Sequence, residues 1–85
     1  MNSHTVKDLK LWTPATYNIK VQGYLDQSRS EFLAGMTIIT ASQGDQGEVT
    51  TLVGRLRDQA ELSGVLNTLY EFRLPILSVE CLRDD

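Results

Sequence analysis

Only one stretch of this chain spaces its apolar residues at helical intervals over several turns, and that stretch constrains what the rest can be. Leu62, Val65, Leu66, Leu69 and Tyr70 recur at i, i+3, i+4, i+7 and i+8, with Ser63, Asn67, Thr68 and Glu71 on the other side. Asp58 precedes the run as an Asx N-cap, and Glu61 three residues later supplies the acidic position of a capping box. Leu74-Pro75 ends the run, because proline lacks an N–H and restrains its neighbour. Gly64 inside the helix costs about 1 kcal/mol relative to alanine, which implies either a close backbone contact or a tolerated surface weakness. A helix with one apolar face needs a surface to cover, and the flanking segments alternate with the period of strands.

Tyr17 to Leu25 sets Tyr17, Ile19, Val21, Gly23 and Leu25 against Asn18, Lys20, Gln22 and Tyr24, the pattern of a half-buried strand. Gly23 interrupts the apolar row and marks a bulge or the close approach of another backbone. Ser28 followed by Glu31 reads as a capping box for a short helix from about Arg29 to Ala34, stopped by Gly35 and offering Phe32 and Leu33 to the core. Met36 to Ala41 and Glu48 to Arg57 are β-rich runs joined by the polar loop Ser42 to Gly47, a hairpin. The Gly-Asp-Gln-Gly in that loop is not a phosphate loop, since a strand follows it and not a helix N-terminus. Pro75 to Leu82 is a last strand, with Leu77, Val79 and Cys81 on one side and Ile76, Ser78, Glu80 and Leu82 on the other. Residues 1–16 read as an N-terminal arm ahead of a single domain over 17–85, with Trp12 capping the open end of the core or inserting into a partner subunit.

Strand, short helix, strand, hairpin, strand, helix, strand is the order of a ferredoxin-like βαββαβ domain of the α+β class. It predicts one four-stranded antiparallel sheet with a short first helix and a longer second helix on the same face. The expected buried set is Ile19, Val21, Leu25, Ile38, Leu52, Leu56, Val79 and the helix stripe. The opposite face then presents Lys20, Gln22, Tyr24, Thr37, Ile39, Thr51, Val53, Ser78 and Glu80. Tyr24, Ile39 and Val53 make that face too apolar for an idle surface.

Eighty-five residues make one domain with a small core, for which association is a common supplement. A net charge of −3 opposes a general phosphate-binding surface, so nucleic acid is not the expected partner. The single histidine, His4, and single cysteine, Cys81, provide neither a metal cluster nor an intrachain disulfide. No apolar run approaches the roughly 20 residues of a membrane span, and the start lacks the apolar centre of a signal peptide, so the expected location is the cytoplasm.

The segments VQGYLD (21–26), EFLAGMTI (31–38), TTLVG (50–54), DQAELSGVLNTLYEF (58–72) and LPILSV (74–79) resemble a small bacterial family of uncharacterised proteins. Its members carry V-x-G-x-L-D, W-S-x-W-F-x-G-L-T, T-x-L-x-G, D-Q-A-A-L-H-G-L-L and L-P-L-x-S-V strings, and the match covers most of residues 17 to 80. Arg29 or Ser30 and Phe32 stand where the family has tryptophans, and Ser63 where its helix has a histidine. The resemblance implies no activity, cofactor or site.

No nucleophile has a positioned base, since His4 lies in the arm. Cys81 reads as a small hydrophobe, and Asp26, Glu31, Asp58 and Glu61 read as helix caps. No catalytic, cofactor or metal residue is therefore assigned. Tyr17, Tyr24 and Tyr70 fill the core or line a pocket between sheet and helix; Arg55 and Arg57, at a strand end, form a solvated edge or hold an anion. The expected function is a non-enzymatic homodimeric interaction or binding module, whose candidate ligand or interface residues are Tyr24, Ile39, Val53, Arg55 and Arg57; another protein is the alternative partner. Two alternatives are an ACT-like regulatory domain binding a small molecule near Leu25-Asp26 or Arg57-Asp58, and a cofactor-free dimeric ferredoxin-like enzyme.

Overall fold

The computed structural model describes residues 13–42 and 44–82, so His4, Trp12 and the arm as far as Trp12 lie outside the described residues. The elements are β1 (Ala15–Gln22), a 3-10 helix (Gln27–Leu33), β2 (Thr37–Ser42), a 3-10 turn (Gly44–Gln46), β3 (Glu48–Leu56), α1 (Gln59–Glu71) and β4 (Ile76–Leu82). The four strands form one antiparallel sheet in the order β2-β3-β1-β4. The fold is α+β, and β1 begins at Ala15, inside the stretch read from sequence as an arm.

The first helical connection departs from the α-helix that a βαββαβ order implies. It is a 3-10 helix that starts at Gln27, because Asp26 and not Ser28 is the cap: its carboxylate accepts from the Ser28 N–H at 3.3 Å. The segment closes through Ala34 at φ 56 and Gly35 at φ 71, too soon for α-helical turns to propagate. α1 starts as expected, with Asp58 Oδ1 accepting from the Glu61 N–H at 2.8 Å. It ends in a Schellman closure, where the Arg73 N–H donates to Tyr70 O and the Leu74 N–H to Leu69 O, with Arg73 at φ 64.

The core lies between the sheet and these two helices. Ile38, Leu52 and Ile19 form one cross-strand row, buried beneath Leu33, Met36, Val65 and Leu69. Gly54 lets the chain at Met36 settle onto β3, since a Cβ there would lie 3.2 Å from Met36 Cα. Gly23 is a point of close approach: it has φ +117, and a Cβ would lie 3.0 Å from Leu74 Cδ2. Its N–H donates to Glu48 O at 2.7 Å, and its carbonyl accepts from the fully buried Thr50 hydroxyl at 2.6 Å.

Three residues expected in the core are outside it. Phe32 is exposed because a 3-10 turn has three residues per turn and directs only Leu33 inward. Tyr70 is 78% exposed: Val65 and Leu69 are the α1 residues fully buried at the sheet, and Tyr70 sits about 100° further round. Val79 is 44% exposed, because β4 lies at the edge of the sheet beside the helical layer.

Candidate functional site

Cross-strand register divides the sheet into its two faces. On the face away from the helices the rows are Thr37, Val53, Asn18 and Glu80, then Ile39, Thr51, Lys20 and Ser78. Ile39 is exposed and Val53 half-buried there, and Arg55 extends the same face opposite Thr16. The Asn18 side-chain oxygen is buried in this face without a hydrogen-bond partner. The expected open face is present, with one correction. Tyr24 is not on it, because the turn at Gly23 breaks the alternation after Gln22. Instead Tyr24 lines a shallow groove with Asp26, Arg29, Phe72 and Leu74, in which the Arg29 guanidinium lies 5.2 Å over the Phe72 ring.

The arginine pair does not assemble. Arg55 sits on the sheet face, whereas Arg57 has left the strand and is committed to the start of α1. Glu61 accepts from the Arg57 N–H at 2.8 Å and meets its guanidinium at 3.2 Å. Leu25-Asp26 and Arg57-Asp58 lie at opposite ends of the sheet, since Gln22 pairs with Val49 while Ala15 pairs with Leu56. They do not form one site.

The helix side of β4 is the surface sequence reading missed. Val79 stands in the same cross-strand row as Ile19, Leu52 and Ile38, which are 0%, 0% and 5% exposed, yet Val79 is 44% exposed. α1 packs chiefly against β3 and the 3-10 helix, and β4 stays largely exposed beside it. Ile76 and Leu77 are also exposed, at 41% and 48%, and Cys81 is an exposed thiol. Gln59 Nε2 donates to the Tyr17 hydroxyl at 2.6 Å, and Tyr17 stands opposite Cys81. At the other end Tyr70 shares a groove with Leu74 and Pro75, which lead into β4. Between these two ends runs the α1 ridge of Gln59, Leu62, Leu66 and Tyr70, with Leu62 and Leu66 only half-buried.

β4 is also an edge strand, bonded among the described residues to β1 alone. An extra residue, Leu77, enters where its register with β1 shifts between Lys20 and Val21. The strand carries one charge, Glu80, and no proline, so beyond this bulge and that charge little along it discourages an edge from pairing.

Burial raises the Tyr17 pKa, the Gln59 hydrogen bond lowers it and nearby Cys81 raises it, so the phenol stays neutral at physiological pH. Among the described residues no group of three or more His, Cys, Asp or Glu is placed to hold a metal ion, and no helix is long and apolar enough to cross a membrane.

No curated protein and no solved structure matches this chain. A family model described as a domain of unknown function, DUF8691, matches residues 16–80, which span β1 through most of β4. The glycine turn, the capped helix and most of the exposed β4 strand fall within that span: the chain belongs to the DUF8691 family.

Proposed function

We propose that this chain is a non-enzymatic, self-associating interaction module on a ferredoxin-like frame in which a 3-10 helix takes the first helical place. The antiparallel order β2-β3-β1-β4 and the two crossovers support the frame. The exposure of Val79, in a row whose other three members are buried, carries the function. A core that ends one strand early leaves apolar surface that a second protein surface covers. Solution mass by light scattering at two concentrations tests it. A dimer is expected, and a monomer at both concentrations refutes it.

The groove of Tyr24, Leu25, Asp26, Arg29 and Phe72 favours one second reading, an ACT-like regulatory domain that takes a small molecule at the junction of β1 and the 3-10 helix. Arg57 has no part in it. A thermal-shift panel of amino acids and other small metabolites tests this reading: a ligand whose effect disappears in Arg29→Ala supports it, and a panel without any shift counts against it.

A further inference from the structure

We infer that the second copy joins at β4, edge to edge and antiparallel, making a continuous eight-stranded sheet whose seam is roofed by the two α1 helices. This rests on the self-association reading and names its surface. The two sheet edges differ in what they leave open. β2 exposes one large apolar side chain, Ile39, and its inward Ile38 is buried. β4 exposes Ile76, Leu77 and Val79 together with Cys81. Pairing a second strand against β4 satisfies its free backbone groups and extends the buried row by a second Val79.

The register follows from overlap and charge. Full antiparallel overlap of Ile76–Leu82 with its copy places the two-fold axis at Val79. Val79 then faces the partner's Val79, Leu77 the partner's Cys81, and Ser78 the partner's Glu80. Moving the axis one residue towards the C-terminus would set the two Glu80 side chains directly opposite each other, a repulsive pair. In the Val79-centred register the partner's Glu80 lies two strand spacings, about 10 Å, from exposed Lys20, which is opposite Ser78, and both side chains are long enough to close that gap. The strand alone is too narrow for a stable interface. A specific interface needs about 800 Å² per partner, roughly one seventh of the 5765 Å² surface of the chain. The ridge Leu62, Leu66 and Tyr70 supplies the remainder by closing over the seam.

Cys81 reports on this geometry. In the Val79-centred register the two thiols are four residues apart along paired strands, about 14 Å, on the same side of the sheet. A bismaleimide spanning about 15 Å should convert the full-length wild-type chain into a covalent dimer. If the copies met through the open faces carrying Ile39 and Val53, both sheets would stand between the thiols. The same solution mass measurement is repeated with Val79→Lys and Ile39→Lys. The expected result is a cross-linked wild type, a folded Val79→Lys chain with its mass halved, and an Ile39→Lys dimer. Loss of the dimer in Ile39→Lys with its persistence in Val79→Lys overturns the β4 seam and leaves self-association standing, as does a wild-type dimer that does not cross-link. A wild-type monomer overturns both. Should Val79→Lys fail to fold, the wild-type cross-link decides alone.

Discussion

Thr50 is fully buried, and its hydroxyl makes two short contacts, 2.6 Å to the Gly23 carbonyl and 2.7 Å to the Thr40 hydroxyl. A carbonyl only accepts, so the single hydroxyl proton of Thr50 goes to Gly23, and Thr40 must donate to Thr50. The result is a directed chain, Thr40 to Thr50 to Gly23, tying β2 and β3 to the turn that ends β1. Thr50→Val keeps the shape and removes the link. It forfeits two hydrogen bonds at about 1 kcal/mol each and adds about 1 kcal/mol or more for a carbonyl deprived of its donor. The new methyl group returns about 0.8 kcal/mol. The net loss is about 2 kcal/mol, which for a domain of this size lowers Tm by about 10 °C. Thr40→Val should cost less, below about 1 kcal/mol, because Thr50 still donates to Gly23. Urea denaturation followed by far-UV circular dichroism measures both. A Thr50→Val chain within about 0.5 kcal/mol of wild type would refute the reasoning, and so would a Thr40→Val loss equal to or greater than that of Thr50→Val.

Other substitutions probe the frame around the site. Gly64 has nothing within 4 Å of a Cβ and lies in the interior of α1, so Gly64→Ala should stabilise by about 1 kcal/mol in the same denaturation assay; a loss would mean that the helix needs the glycine. Gly54→Ala should destabilise by about 1–3 kcal/mol, because the new methyl meets backbone and side chain of the fully buried Met36 at 3.0 to 3.3 Å. An unchanged midpoint would show that β2 and the 3-10 helix shift at little cost. Tyr17 has its pKa raised above 10.0 in the fold, mainly by burial, so the unfolded chain loses that proton first as pH rises. The stability it contributes is fully present below pH 10 and lost as pH rises through the folded value. Tyr17→Phe should therefore lose less stability between pH 9 and 11 than wild type, and parallel curves would count against the burial argument.

The parts of this fold set by neighbours in sequence were legible from the residues. Asp58 caps α1 because an Asx side chain reaches an N–H three residues on, whatever the tertiary setting. The hairpin between β2 and β3 follows from two glycines between β-rich runs, and both, Gly44 and Gly47, adopt positive φ. The alternation in β1 assigned Ile19 and Val21 to the buried face for the same local reason. Gly23 was readable as an interruption but not as the end of alternation, since its φ is held by contacts with Glu48, Thr50 and Leu74, all distant in sequence. Alternation alone therefore puts Tyr24 on the open face, whereas it lies in the groove beside Arg29 and Phe72. Arg55 and Arg57 looked like a pair because strand spacing puts i and i+2 on one side, yet the strand stops at Leu56 and Glu61 takes Arg57.

By itself, then, the sequence determined the four strands, α1 with its Asp58 cap and the apolar side of β1, because these depend on interactions spanning a few residues. Only the tertiary structure decided which apolar sides are covered. Cover depends on where a 13-residue helix and a seven-residue 3-10 helix come to rest over four strands, and together they shelter β2, β3 and β1. Periodicity gives Val79 the same apolar position as Ile19, but it contains no information about the width of the roof above it.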